Sequence, residues 1–160
     1  MATTLHLIWQ NFVWRILSLT PTATRGGLRT EYVHLNGVSP GQAPGTARGF
    51  EVTLLRGSTS GEPTNFYARR GIHQFLVEVF YSKQLKPDAR HLVIPQDRHD
   101  ITTELRRPGS WVGYDATHTT DAIMQARENI DDEYEIVETE SNVILRMPWR
   151  VRVREVESNA

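Results

Sequence analysis

A chain of 160 residues is close to the usual size of one domain and long enough to bury a core without staples. It has no cysteine, which excludes disulfides, thiolate metal sites and cysteine nucleophiles and fits a reducing compartment. Eighteen basic and nineteen acidic side chains give a formal charge of -1, which argues against a nucleic-acid binder with an overall basic field.

Residues 4–19 are predicted to form a helix capped by Thr3 or Thr4, because Leu5, Ile8, Trp9, Phe12, Val13, Ile16 and Leu17 recur at three- and four-residue spacing. Gln10, Asn11 and Arg15 interrupt the apolar stretch and no basic leader precedes it, so it reads as a structural helix and not as a signal peptide. No run of 18 apolar residues predicts a membrane span, and no membrane partner is expected. Residues 20–48 are rich in Gly, Pro, Ser and Thr, with strand character only in "RTEYVHL". A loop of this length is expected to be an arm that orders against a partner.

"FEVTLLRG" (50–57) places Phe50, Val52 and Leu54 on one face, and "IHQFLVEVFY" (72–81) does the same with Phe75, Val77, Val79 and Tyr81, so both read as strands. Arg69 and Arg70 lead into the second. "SKQLKPDAR" reads as a loop, and a helix is predicted from "IPQDRHDITTELRRPG", with Asp97 near its start, Ile101 and Leu105 inward and Arg106 and Arg107 at its end. "TTDAIMQARENIDD" is expected to form a short second helix, with Ile123 and Met124 inward. The tail, "EYEIVETESNVILRMPWRVRVREV", reads as a hairpin turning at Ser141 and Asn142. The sum is a single α+β domain over 1–160, an antiparallel sheet of four to five strands packed by an N-terminal and a mid-chain helix.

Sixteen of the eighteen cations are Arg, and four of them, Arg146, Arg150, Arg152 and Arg154, alternate with apolar residues in the last strand. An arginine-rich codon usage accounts for the total; the alternation needs a face. The expected turn puts Trp149 across from Tyr134, Met147 across from Ile136, Arg150 across from Glu133 and Arg152 across from Asp131. Val143, Leu145, Met147, Trp149, Val151 and Val153 then form the core face, and the arginine face also collects Asp131, Glu133 and Glu135. The plain reading is a solvated face with cross-strand ion pairs, each contributing about 0 to 1 kcal/mol. The sharper reading is a docking face for carboxylate or phosphate. Pro148, which lacks an N–H, predicts an edge or a bulge there, and Arg146 and Arg154 are expected to have the weaker matches within the chain.

The six histidines show no spacing used by zinc proteases or zinc fingers, and His91 with His99 and Asp97 or Asp100 would need an unusual geometry, so no metal or other cofactor is expected. "PDAR" near Glu78 lacks the further acid and lysine of a nuclease site. "GVSPG" lacks the strand-to-helix setting of a nucleophile elbow, and the glycine pairs match no phosphate loop. No catalytic residue is expected. Trp9, Trp14 and Trp149 fit core stripes, while Trp111 lies in a loop and is the best exposed aromatic for an interface.

The helix "LHLIWQNFVWRILS", the strand "HQFLVEVFY" after a loop, the mid-chain helix and the closing strand "NVILRMPWRVRVRE" together resemble the tail terminator proteins of long-tailed bacteriophages, the minor tail protein U-like group. A related head-to-tail joining protein of the neck would look much the same. The resemblance implies a virion subunit, assembled in the host cytoplasm and placed in the tail or neck. It would form a homo-oligomeric ring, six-fold, on the last ring of tail tube protein, ending tube growth. Its other face would meet the head connector protein, with DNA passing through the lumen. Ring contacts or the lumen wall would draw on the arginine strand, on Asp131, Glu133 and Glu135, on Trp111, Arg69 and Arg70, and on the 20–48 arm. The rival is a small nucleic-acid-binding domain that uses the arginine strand directly.

Overall fold

The structure, a computed structural model, describes residues 4–23, 31–36, 48–59, 68–107, 124–129 and 133–156. Its elements in chain order are α1 (Thr4–Leu17), β1 (Tyr32–His34), β2 (Arg48–Thr59), β3 (Ala68–Ser82), α2 (Pro87–Arg106), β4 (Met124–Asn129), β5 (Glu135–Glu138) and β6 (Asn142–Val156). The six strands make one sheet in the order β1-β2-β3-β6-β4, with β5 also on β6. Because β4 and β5 share one flank of β6, six strands fill five positions. All pairs are antiparallel except β1 with β2. The molecule is therefore the expected α+β fold, with both helices on one face of the sheet.

Period-two alternation decides that face. Phe75, Val77, Val79 and Tyr81 of β3 and Val143, Leu145, Met147, Trp149 and Val151 of β6 are all buried, and they join Ile8, Phe12 and Ile16 of α1 in one core. Phe12 ties the layers together, its ring edge-on to Phe75 and Trp149 at centroid distances of 5.4 and 6.1 Å. Arg15, an oddity in the apolar helix, is buried for a reason. Its Nη1 donates to the carbonyls of Glu104 and Arg107 at 3.1 and 3.3 Å, closing the C-terminal end of α2, and its Nε donates to Asn11 at 3.1 Å.

Three expectations need correction. The mid-chain helix begins at Pro87, not near Ile94: Pro87 sits at its first turn, where the missing N–H costs nothing, and Ala89, Val93, Asp97, Ile101 and Leu105 form a buried stripe at four-residue spacing. Asp97 is thus in mid-helix, not at the start. Residues 124–129 of the second expected helix are the strand β4, because β6 offers a ladder that outweighs a weak helical pattern; the remainder of that segment lies outside the described residues. The closing hairpin turns one residue earlier than expected, which shifts the pairing by two, with Ile136 across from Leu145 and Glu135 across from Arg146. Thr139 decides this: its N–H donates to the Asn142 carbonyl at 2.8 Å and its Oγ1 accepts from the Asn142 N–H at 3.0 Å. A shift of two preserves the faces, so the core residues stand as expected while every cross-strand partner changes.

Pro148 is not on an edge strand, since β3 runs along the whole of β6 on one side. On the other side β5 reaches as far as Arg146 and β4 begins at Trp149, so Pro148 falls between them. Because the Asn142 carbonyl points toward β5, alternation turns position 148 to the same flank. The missing N–H therefore faces the break between two short strands, where it removes no ladder bond.

Candidate interaction surfaces

Residues of the sheet that point away from the helices form an outer face ordered in rows by the strand registers. One row runs Glu51, Glu78, Arg146, Glu135. The Arg146 guanidinium lies 3.3 Å from Glu78 and 3.8 Å from Glu135, so Arg146 is well matched within the chain, contrary to expectation. Glu51 and Glu78 stand directly opposite each other, and the Glu78 carboxyl is pushed up by burial, a shift opposed by Arg146 and reinforced by Glu51. His34 Nε2 lies 2.8 Å from the Glu51 carboxylate. An uncharged row follows, Thr53, Leu76 and Pro148.

The next row is Arg56, Gln74, Arg150, Glu128, with the Arg56 Nε donating to Gln74 at 3.1 Å. Beyond it Ile72 and Arg152 are neighbours, and then Arg70 stands across from Arg154. Three carboxylates and one guanidinium occupy one end of the face, while Arg56, Arg150 and Arg152 lie toward the other, where Arg70, Arg154 and Glu128 hold positions in the ladder. Arg146 and Arg154 are eight residues apart, about 26 Å along an extended strand. Arg150 and Arg152 thus face β4 and β3, not Glu133 and Asp131 as expected.

The other expected site residues do not converge with these. Glu133 is exposed just before β5, and Arg69 stands opposite Glu155 in the ladder. Asp131 and Trp111 lie outside the described residues, as do the side chains of Arg69, Arg70, Glu128 and Arg154. Sequence reasoning missed Glu51, Glu78 and Arg56. Glu78 was legible as the one charge in "HQFLVEVFY", but its partner depends on β3 lying beside β6.

Apolar side chains also reach solvent, at Leu54 (42 %) and Leu55 (51 %) on β2 and at Tyr134 (52 %) and Ile136 (48 %) beside and on β5. Leu54, expected on one face with Phe50 and Val52, stands across from Phe75 but beyond the Val52 carbonyl that Trp9 covers, and Leu55 is an extra residue where the register steps from Leu54–Phe75 to Arg56–Gln74. Tyr134 and Ile136, with Ile94, Pro95, Arg98 and Leu145, line a pocket of about 70 Å³.

One polar cluster lies wholly inside. Arg48 donates to Asp97 and to the Ala23 carbonyl, the Tyr81 hydroxyl donates to Asp97 at 2.6 Å, and both charged groups are fully buried. Burial pushes the Asp97 carboxyl up to about 6, against the pull of Tyr81 and Arg48. Thr22 adds bonds from its N–H and Oγ1 to Asp100 at 3.2 and 2.7 Å. Both ends of the long 20–48 loop are therefore fixed on α2, and Tyr32 in its middle is buried near the same carboxylate. Ala23, Tyr32 and Arg48 belong to the core, so the loop does not depend on a partner for order at these points. His91 and His99 are exposed on α2, away from this cluster, and the Asp97 oxygens are already engaged. Among the described residues no group of three or more His, Asp or Glu could hold a metal ion.

No protein-family model matches the chain, and comparison with curated proteins gives no match.

Proposed function

We propose that this chain is a structural virion subunit of a long-tailed bacteriophage, a tail terminator or an adjoining head-to-tail joining protein. It would form a ring on the end of the tail tube, stop tube growth and present its other side to the head connector, with DNA passing through the lumen. The observation that supports this best is the lengthwise segregation of charge on the outer sheet face, carboxylates at the Glu51–Glu135 row and arginines from Arg56 and Arg150 outward. An unlike pair of charged ends suits contacts in which one patch meets a different patch on the next subunit, and an arginine-rich end suits a wall near phosphate. The resemblance in element order supports the same reading.

The test is gel filtration with light scattering over a wide concentration range, negative-stain imaging of what elutes, and addition of the purified chain to growing tail tubes. Closed rings with an open centre, or tubes whose growth stops on addition, are expected. A chain that forms no ring and leaves tube length unchanged refutes the proposal.

The second reading, a small nucleic-acid-binding domain, is favoured by the gathering of arginine positions at one end of β6. It predicts that the monomer binds DNA or RNA with an affinity falling steeply with salt, and that Arg150→Glu with Arg152→Glu flattens that dependence.

A further inference from the structure

We infer that two unlike edges of the sheet form a single head-to-tail contact between copies of this chain, the β2 edge of one copy seating on the β5 edge of the next. This rests on the assembly reading and supplies its contact surface. Among the described residues β1 pairs only with positions Arg48 to Phe50, so β2 from Glu51 to Thr59 has no strand on its outer side. The first part of that edge is closed by side chains. The Val52 carbonyl accepts from Trp9 Nε1 at 2.7 Å, and the Val52 N–H donates to the Glu51 carboxylate at 3.2 Å. Past Val52 the edge becomes an exposed apolar ridge, Leu54 and Leu55, followed by the cation Arg56.

The opposite edge has the complementary form. β5 pairs with β6 alone among the described residues, and Tyr134 and Ile136 stand exposed beside the pocket against α2. This edge is held in place: the Arg98 guanidinium lies 4.3 Å from the Tyr134 ring centroid, and Arg90 binds Glu138 at 2.7 Å. Glu133, Glu135, Glu138 and Glu140 are exposed along it.

A leucine ridge that ends in a cation fits an apolar pocket bordered by carboxylates. Two β5 edges brought together would oppose Glu133 and Glu140 as well as Glu135 and Glu138, which Arg146 and Arg90 offset, so the unlike pairing is electrostatically preferred. The two edges lie on opposite sides of one sheet and cannot meet within a copy. A contact between different patches on successive copies closes into a ring when the rotation permits. The register step at Leu55 limits how far strand pairing can run along β2, leaving side-chain docking to carry the contact.

The chain has no cysteine, which allows a direct test. Leu55→Cys and Ile136→Cys fall at positions about half exposed and are made separately in the full chain; if either loses the wild-type thermal transition, Leu54→Cys or Tyr134→Cys replaces it. Each is treated with a short bismaleimide alone, then mixed one to one. A cross-linked pair in the mixture and none in either variant alone is expected, with the double variant giving a ladder on a denaturing gel. Cross-links within one variant alone overturn the unlike pairing. No cross-link while the wild-type chain forms rings places the contact elsewhere and leaves ring formation standing. No cross-link and no self-association also overturns the contact, while the terminator reading is then decided by tube capping.

Discussion

Arg48→Met tests whether the buried ion pair is what fastens the long loop to the domain. The substitution keeps most of the side-chain volume but leaves the Asp97 carboxylate without its guanidinium and the Ala23 carbonyl without its donor. Removing one partner of a buried pair costs about 3 to 5 kcal/mol. The low end, about 3 kcal/mol, is expected because Asp97 can escape by taking a proton: burial already raises its carboxyl, and losing Arg48 raises it further. With a urea dependence of about 2 kcal/mol per M for a domain of this size, the unfolding midpoint should fall by about 1.5 M at pH 7. The loss should shrink at pH 5, where the carboxyl is neutral in both proteins. Adding Asp97→Leu should restore much of the stability, since a matched apolar pair leaves no buried charge. Urea unfolding followed by tryptophan fluorescence reads all three proteins. A shift below about 0.5 M at pH 7, or a double variant weaker than the single one, would refute the account of the clamp.

Asp97 also sets a pH dependence. Its folded carboxyl titrates at about 6 against an ordinary 3.8, so the folded state holds a proton that the unfolded chain has lost. Its contribution is full below the unfolded value and is lost as pH rises through about 6, a change on the order of 3 kcal/mol. The stability of wild type relative to Asp97→Asn should therefore fall from pH 4 to 7, and a constant difference contradicts it. Arg146→Met should cost about 1 kcal/mol, discounted because Arg146 is more than a third exposed, and less in high salt; equal losses in low and high salt would show that its charge is irrelevant. Gly57→Ala would bring a methyl group to 2.0 Å from the buried His73 ring directly across the ladder, so a loss of about 1 to 3 kcal/mol is expected in thermal unfolding, and an unchanged transition would mean that the ring moves freely.

What the sequence disclosed follows from which interactions are local. The α1 stripe and the alternations of β3 and β6 are set by neighbours a few residues apart, and they placed Phe12, Phe75 and Trp149 in the core before any topology was known. The start of α2 was legible too, in the four-residue repeat from Ala89 to Leu105, but the charged Asp97 in that repeat obscured it. Its partner Arg48 is 49 residues away, and no local pattern announces such a pair. β4 is strand only because β6 has a flank to fill. The arginine face was readable as a face; its polarity was not, because the carboxylate row is assembled from β2, β3, β6 and β5.

That polarity is hard to derive from stability alone. Glu51 and Glu78 directly opposite one another are unfavourable by up to about 1 kcal/mol, and burial of Glu78 adds to the cost. Under the proposed assembly, a subunit whose acidic end met the basic end of a neighbour would gain attraction at that contact and repulsion against the reversed orientation. The leucine ridge on β2 and the pocket beside β5 lie on opposite sides of the sheet, with the carboxylates on the pocket side and Arg56 on the ridge side. The acidic and basic ends of the outer face lie along the strands, whereas the two edges lie across them, so the face and the edges are separate features. Under the proposed assembly the edges would set which strands meet, and the charges of the outer face would act at right angles to that contact.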